Sequence, residues 1–147
     1  MDCKERNFEL IVEITAYPDS AVTFTDPMQV RKKFLTSEDY TLDESQAMSI
    51  PLKAKTAKLQ ESEKRELMGD VYTVNLTWEV DKLSQEGYET YENLRKSFKH
   101  LKIKTFGDNC SIVRSNEDGY QFVYEEDGGV IKASLSVMNL SGIQRVI

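Results

Sequence analysis

The alternation of apolar and polar residues predicts that this chain is built mainly from β-strands. In residues 72–80 every second position is apolar, and the positions between them are polar. Strict alternation of this kind is typical of a strand with one face in the core and one face in solvent. Trp78 lies on the apolar face between Leu76 and Val80, so we expect it to be a core residue.

The same alternation recurs before and after this segment. In residues 8–16 the even-numbered positions share an apolar face, and Ile11 is the exception. Pro51 places the strand that contains it at a sheet edge or a strand start. The Asp127-Gly-Gly129 run is a strong turn signal before the last long strand. Besides residues 72–80, the predicted strands are residues 8–16, 50–58, 101–106, 110–114, 120–124 and 130–139.

One segment has helical rather than strand spacing, and we expect the main helix there, over about residues 84–99. Ser84 is a suitable N-cap, and Leu83 and Tyr88 have the spacing of a hydrophobic staple. His100 then lies at the helix exit, where a C-terminal capping role suits a cation. The residues with helical spacing are Tyr88, Tyr91, Leu94, Arg95 and Phe98, of which we expect Tyr88, Tyr91 and Phe98 to pack in the core.

A second, short helix is predicted over about residues 27–35. Asp26 can accept hydrogen bonds from free N–H groups, and Pro27 fits the first helical position. With 147 residues, the chain is expected to form a single domain, residues 1–147, with a core of its own. The expected fold class is α+β, mainly β: an antiparallel barrel or sandwich of about seven strands with the main helix packed on it.

Two charged segments are predicted loops. Residues 60–70 form a long charged connection inside a hairpin, longer than a tight turn requires, which marks either a functional loop or a flexible exposed tip. Residues 36–46 hold several carboxylates and are predicted to be a solvated surface loop. A calcium loop is the alternative there, but the spacing of its ligands is absent.

Composition narrows the class of function. The net charge of −6 disfavours wrapping a phosphate backbone, although it permits a surface that nucleic acid passes without binding. Cys3 and Cys110 are far apart in sequence and are expected to be free, structural thiols. No apolar run is long enough to span a bilayer, and the charged N-terminus lacks the apolar stretch of a signal peptide, so no membrane partner is expected.

No constellation for catalysis is visible in the sequence. His100 is the only histidine and has no evident nucleophile or metal-binding partner. Carboxylates are plentiful but lack a distinctive spacing, which leaves an enzyme that uses them as the weakest hypothesis. We therefore predict that the protein is not an enzyme and uses no cofactor or metal. Trp78 and the aromatic residues of 120–124 are interpreted as core; a stacking platform for single-stranded nucleic acid is the alternative.

The order of these elements resembles the tail-tube and tail-terminator proteins of long-tailed bacteriophages. The resemblance covers roughly residues 50–139 and consists of a strand, a long charged hairpin, a strand, a helix and then a β-meander with short Gly/Asp/Asn turns. The stretches that carry it most are residues 57–63 with 69–76, residues 101–109 and residues 119–124.

The resemblance implies a virion structural protein of the tail or neck, made in the host cytoplasm. Its partners would be other tail or neck proteins and copies of itself, which in proteins of that kind form rings that are often hexamers. DNA would pass through an acidic lumen without specific binding because like charges repel. Strand edges and the hairpin would make the subunit contacts, with the hairpin contributing Glu61, Glu63, Lys64, Arg65, Glu66, Leu67 and Met68.

A second hypothesis comes from the residues themselves. The aromatic side chains could line the cavity of a β-barrel that binds a small molecule or a peptide. The mass of the purified protein separates the two hypotheses, because a pocket protein would be a monomer at every concentration.

Overall fold

The computed structural model describes residues 10–25, 34–66, 69–81, 83–96, 98–105, 109–114, 121–139 and 142–146. Within these ranges the chain is mainly β, with one α-helix and a sandwich of sheets that does not close into a barrel. The predicted fold class is therefore confirmed in its sandwich form. The strands are β1 (Ile11–Pro18), β2 (Val22–Phe24), β3 (Phe34–Leu35), β4 (Tyr40–Leu42), β5 (Met48–Ser49), β6 (Lys58–Glu66), β7 (Gly69–Val80), β8 (Phe98–Thr105), β9 (Cys110–Arg114), β10 (Gln121–Asp127), β11 (Val130–Asn139) and β12 (Ile143–Val146), and the helix is α1 (Gln85–Lys96).

The larger sheet has six strands in the order β3-β12-β9-β8-β1-β5. Its neighbours are antiparallel except for the pair of β12 and β3, which is parallel. Both edge strands, β3 and β5, are only two residues long. Very short edge strands offer little backbone for another chain to pair with.

The smaller sheet has four antiparallel strands in the order β10-β11-β7-β6. The Gly128–Gly129 turn joins β10 to β11, and both glycines have positive φ, which explains the strong turn signal there. The predicted strand over residues 130–139 coincides with β11. A separate two-stranded sheet pairs β2 with β4.

The core lies between the inner faces of the two main sheets. The indole of Trp78 is 2% exposed, so its predicted place in the core is confirmed. Tyr91 and Leu94 of α1 are fully buried against the same cluster. The other large contributors come from both sheets and are Ile14, Leu101, Ile103, Val74, Leu76, Ile131, Leu135 and Val137.

The first strand shows a bulge that the alternation pattern missed. The pairing of β1 with β8 shifts register between Ile11 and Glu13. Ile11 is therefore buried, while Val12 points outward with 47% of its surface exposed. Residues 1–9, which include Cys3 and the start of the predicted strand, lie outside the described residues.

The main helix begins as predicted and ends earlier than predicted. The Ser84 hydroxyl accepts a hydrogen bond from the Gly87 N–H, which confirms the N-cap. The helix ends at Lys96, and Phe98 already belongs to β8, so the extension to residue 99 was wrong. His100 lies inside β8 rather than at a helix exit, and its predicted capping role was wrong. Tyr88 is 40% exposed rather than buried.

Other boundaries need correction for one common reason, which is that pairing partners distant in sequence decide them. Residues 50–57 contain no strand, and β6 starts at Lys58. The predicted long connection over residues 60–70 is mostly strand, because β6 and β7 stay paired until Glu66 meets Gly69. For the short helix over residues 27–35, Phe34 and Leu35 form β3 instead, and its earlier part lies outside the described residues.

Candidate functional site

The four-stranded sheet has two long edges. In the described part of the chain, β10 and β6 each have a hydrogen-bonded strand on one side only. These strands are seven and nine residues long, respectively. Because the strands alternate in direction across the sheet, β10 and β6 run antiparallel to each other. A β6 edge placed beside the β10 edge of a second copy would therefore continue an antiparallel sheet.

The outward face of this sheet is polar, and its described positive and negative side chains balance one another. Hydroxyl and amide side chains lie next to one another across the strands, and the charges at one end alternate in sign along the row Glu125, Lys132 and Glu79. Two exposed apolar side chains, Val123 and Met138, lie on the same face. The central row consists of Gln121, Ser136, Asn75 and Gln60. The described side chains of this face therefore form no large apolar or single-charge patch.

Some of the predicted contact residues of the hairpin lie in its paired strands, and two lie at its turn. Pairing between β7 and β11 stops at Tyr72, whereas β6 and β7 continue to pair beyond it. The end of the hairpin is thus a two-stranded extension, which includes Lys64, Arg65 and Glu66. Arg65 Nε lies 3.7 Å from Glu63 Oε1 in an exposed ion pair. The two turn residues, Leu67 and Met68, lie outside the described residues.

Glu61 has a role within the chain that sequence reasoning missed. Its Oε2 accepts a hydrogen bond from the backbone N–H of Ile143, at 3.2 Å. Ile143 begins β12 in the six-stranded sheet, so this contact joins the two main sheets. The strand β12 itself was not predicted, and no periodic signal over its four residues could have revealed it.

A second polar cluster lies on the outer face of the six-stranded sheet. Tyr17, His100 and Arg114 are direct neighbours across β1, β8 and β9. We call these three side chains, with Gln144, the polar layer. Its cover is formed by residues 19–25 and 34–49, which we call the strap. The strap supplies both edge strands of the sheet, β3 and β5, and the β2–β4 pair between them.

Polar contacts fasten the strap to this layer. His100 Nε2 lies 2.9 Å from Asp19 Oδ1, and the Tyr17 hydroxyl donates to the carboxylate of Glu44 at 3.0 and 3.1 Å. The Arg114 guanidinium stacks on the Phe24 ring, with its central carbon 3.3 Å from the ring centroid. Such stacking is a favourable cation–π contact.

Burial shifts the pKa values of Tyr17 and Arg114 in the polar layer. Desolvation, followed by the hydrogen bond to Glu44, raises the pKa of Tyr17 well above its ordinary value. Desolvation lowers the pKa of Arg114 to about 10. Arg114 Nε donates to Gln144 Oε1 at 2.7 Å, and the side chain of Gln144 is fully buried. One signal of this layer is visible in the sequence, because apolar and polar residues are mixed on both faces of β8 and β9.

The aromatic residues pack against one another. Trp78 stacks on Phe122, and Tyr91 meets both rings edge to face. The Trp78 indole N–H donates to the Tyr91 hydroxyl at 2.8 Å, which in turn donates to the backbone carbonyl of Pro51 at 2.8 Å. The core interpretation is confirmed for Trp78 and Phe122. Tyr120 lies outside the described residues.

A cavity of about 220 Å³ lies at one end of the sandwich. The side chains of Ile11, Leu59, Ile103 and Ile143 form its apolar wall, and Phe34 is the aromatic residue among its described lining. Its polar lining includes Thr105, Asn109, Ser111 and Arg145. The clustered aromatic residues of the core do not line this cavity.

The described residues contain no group of three or more histidine, cysteine and carboxylate side chains placed to hold a metal ion. They also contain no helix with the length and apolarity needed to cross a membrane. Cys110 is a partly buried thiol.

Comparisons of the chain with protein-family models, with curated proteins and with solved structures gave no match.

Proposed function

We propose that this chain is a non-enzymatic structural protein of a phage tail or neck that assembles into a ring. The observation that carries the proposal is the four-stranded sheet with two long edges that lack a strand neighbour among the described residues. Unpaired N–H and C=O groups along such an edge favour pairing with another strand. The proposal agrees with the order of elements that resembles phage tail-tube and tail-terminator proteins.

The direction of the two edges favours a ring of identical subunits. In this proposal β10 of one copy pairs with β6 of the next copy, so each subunit uses two different surfaces. Contacts of this head-to-tail type close into a ring when the rotation between subunits permits it. Because the sheet has an even number of alternating strands, the joined sheet stays antiparallel throughout.

The outward face of the sheet suits a surface past which DNA moves. Binding to the phosphate backbone requires clustered lysine and arginine side chains. On this face Lys58 and Lys132 are offset by Glu79 and Glu125, and hydroxyl and amide groups occupy the positions between them. We propose that this face lines the lumen and that DNA passes it without specific binding.

We also propose that the protein has no catalytic role. Among the described residues, the side-chain pairs that could take part in proton transfer include His100 with Asp19, Tyr17 with Glu44 and Tyr124 with Glu92. The first two pairs fasten the strap to the six-stranded sheet, and the third joins β10 to the helix, which gives each of them a structural role. Replacing His100, Cys3 and Cys110 together should leave function intact if the protein folds.

Paired cysteines test the proposed interface directly. A chain that carries Val123→Cys on β10 and Ser62→Cys on β6, with Cys3 and Cys110 replaced by serine, is oxidised at assembly concentration. The two new thiols of one copy are at least about 14 Å apart, because three strand spacings of about 4.8 Å separate them across the sheet and Ser62 is also displaced along its strand, which is too far for an internal disulfide. We expect a ladder of covalent oligomers that ends at the size of the ring.

Several pairing registers between β10 of one copy and β6 of the next are compatible with this interface. Gln60→Cys and Lys58→Cys are therefore each tested as alternatives to Ser62→Cys. The matched control replaces Ser62→Cys with Asn75→Cys, which lies on the same face of the central strand β7. The control should give no ladder beyond a dimer. A chain that forms no ladder with any of the three β6 positions would contradict the edge-to-edge ring.

A further inference from the structure

The inner face of the six-stranded sheet changes from apolar to polar along one row of side chains. This row crosses β8, β9, β12 and β3 and consists of Ile103, Ser111, Arg145 and Phe34. Ile103 is fully buried in the core, whereas Phe34 is 53% exposed. Because the inner faces of a sandwich pack together and are normally apolar, Ser111 and Arg145 indicate where the second sheet stops covering the first.

The cavity of about 220 Å³ lies at this place. Both sheets contribute to its apolar wall, since Leu59 comes from β6 and the isoleucine side chains come from the six-stranded sheet. An apolar cavity of about 150 Å³ inside a protein can bind benzene. This cavity therefore has room for an apolar chain of roughly six to eight carbon atoms.

The polar part of the lining offers hydrogen-bond donors and a positive charge. It includes Arg145, Ser111 and Asn109, and no carboxylate is among the described lining residues. In the described part of the chain, no carboxylate forms an ion pair with Arg145. The carboxylate of Glu61 lies nearby but accepts a hydrogen bond from the Ile143 N–H. The donors at the mouth of the cavity therefore suit an anionic head group.

We propose that this cavity binds a straight-chain carboxylate of about six to eight carbon atoms, with the chain against the apolar wall and the carboxylate at Arg145. The chain is stabilised by leaving water, and a guanidinium can donate two parallel hydrogen bonds to a carboxylate. Phe34, the neighbour of Arg145 across β12 and β3, flanks the head group. The site uses the inner face of β6 and not its open edge, so the proposal stands whether or not the four-stranded sheet forms a ring.

Titration of the full chain with sodium heptanoate, followed by methyl NMR spectra, tests the proposal at a defined place. The methyl resonances of Ile103, Ile143 and Leu59 should shift and saturate, whereas those of Ile131, which does not line the cavity, should stay in place. We expect a dissociation constant of about 1 mM or tighter, which is within reach of a ligand of this size. Cavity methyl groups that do not shift at about 10 mM heptanoate would overturn the proposal.

Two comparisons of ligands separate the chain from the head group. Each added methylene should tighten binding by about threefold to fourfold, and the gain should stop near eight carbon atoms, when the cavity is full. The alcohol 1-heptanol has the same chain without the charge and should bind about fivefold more weakly than heptanoate. Equal affinities for the alcohol and the carboxylate would contradict the role given to Arg145.

Three variants assign the binding to its residues. Arg145→Gln should weaken heptanoate by about fivefold and leave 1-heptanol within about twofold. Arg65→Gln removes the same charge at the exposed hairpin tip and is the matched control, so its affinity for heptanoate should not change. Leu59→Trp fills the cavity from its partly buried wall and should weaken both ligands by about tenfold or more, the factor that two displaced methylenes produce.

The titration of the unmodified chain keeps the proposal falsifiable if a variant fails to fold. An equal loss of heptanoate affinity in Arg145→Gln and Arg65→Gln would show attraction to the overall charge rather than a site. Cavity methyl resonances that shift with protein concentration alone, and not on addition of heptanoate, would assign the cavity to a second copy of the chain. Either result would overturn the proposal.

Discussion

The two main sheets of this protein differ in how they end and in what covers them. The six-stranded sheet ends in strands two residues long, and the strap covers its outer face. The four-stranded sheet ends in strands of seven and nine residues, and its outward face holds exposed side chains. Within the described residues, the edges of one sheet are therefore short and those of the other are long and have no further strand beside them.

This difference between the two sheets is the basis of the proposed assembly surface. Natural sheets blunt their edges with short strands or a covering segment when strand pairing is to be avoided. The strap does both for the six-stranded sheet. We interpret the open edges of β10 and β6 as the surface reserved for other copies of the chain, in agreement with the proposed ring.

Removing the core that both sheets share should have the largest effect. Trp78→Ala deletes a side chain that is 2% exposed and stacks on Phe122, so we expect a loss of roughly 3–5 kcal/mol in the free energy of unfolding. Chemical denaturation followed by circular dichroism measures it. Val123→Ala, on the bare face of the same sheet, is the control and should cost less than about 0.5 kcal/mol. Equal costs for the two variants would contradict the assignment of the faces.

A smaller loss is expected from the hydroxyl that links the four-stranded sheet to its helix and to Pro51. Tyr91→Phe leaves the indole N–H of Trp78 without its acceptor, so we expect a cost of about 1–3 kcal/mol. Tyr88→Phe, at a 40% exposed position of the same helix, is the control and should change stability by less than about 0.5 kcal/mol.

The pH dependence of stability provides a second measurement on Tyr91→Phe. Burial raises the pKa of Tyr91 from 10.0 to about 12, so the folded chain holds this proton more tightly than the unfolded chain. The resulting stability is complete below about pH 10 and is lost as the pH rises toward about 12. This part of the alkaline loss should be absent in the variant. If the free energy of unfolding of the variant fell as steeply between about pH 10 and about pH 12 as that of the unmodified chain, the Tyr91 hydroxyl would have to lie in solvent.

A substitution in the polar layer of the six-stranded sheet should reduce the free energy of unfolding less. Tyr17→Phe removes the hydroxyl that donates to Glu44 and leaves the ring in place, so we expect a cost of about 0.5–1.5 kcal/mol. Hydrogen exchange should show that the loss is concentrated in the strap, while β7 and β11 stay protected. A uniform loss across both sheets would mean that the strap is not a separate unit.

The smallest effect on folding is expected at the tip of the hairpin. Arg65 is exposed and forms only a long ion pair with Glu63 among its described contacts, so Arg65→Ser should change the free energy of unfolding by less than about 0.5 kcal/mol. If the tip makes contacts between rings, the variant should reduce stacking of rings at low salt. Stacking that is unaffected by the substitution and by salt would remove the tip from the assembly.

Sequence reasoning succeeded where one strand face is buried and the other exposed. The alternation in residues 72–80 and 130–139 follows directly from pairing across a half-buried sheet, and both segments are strands. The buried position of Trp78 and the Ser84 cap follow from equally local rules. The same local rules predicted the Gly128–Gly129 turn.

The failures have a different physical origin. Most of β6 is exposed on both faces, so its polar run carries no burial signal, and only its pairing with β7 defines it as a strand. His100 was assigned to a helix end because helical spacing extends through Phe98. Its place in β8 depends on pairing with Tyr17 and Arg114, which are distant in sequence. Strand edges and the hairpin were predicted to make the subunit contacts, but which strands form the edges could be recognised only once the strand order was known.

The mass of the native protein in solution tests the proposed ring most directly. Sedimentation is measured over a wide range of concentrations for the unmodified chain at neutral pH, together with electron microscopy of the same sample. The account predicts closed rings or stacks of rings that contain several copies of the chain. A monomer whose mass is the same at every concentration would contradict it and would favour a binding module with a pocket.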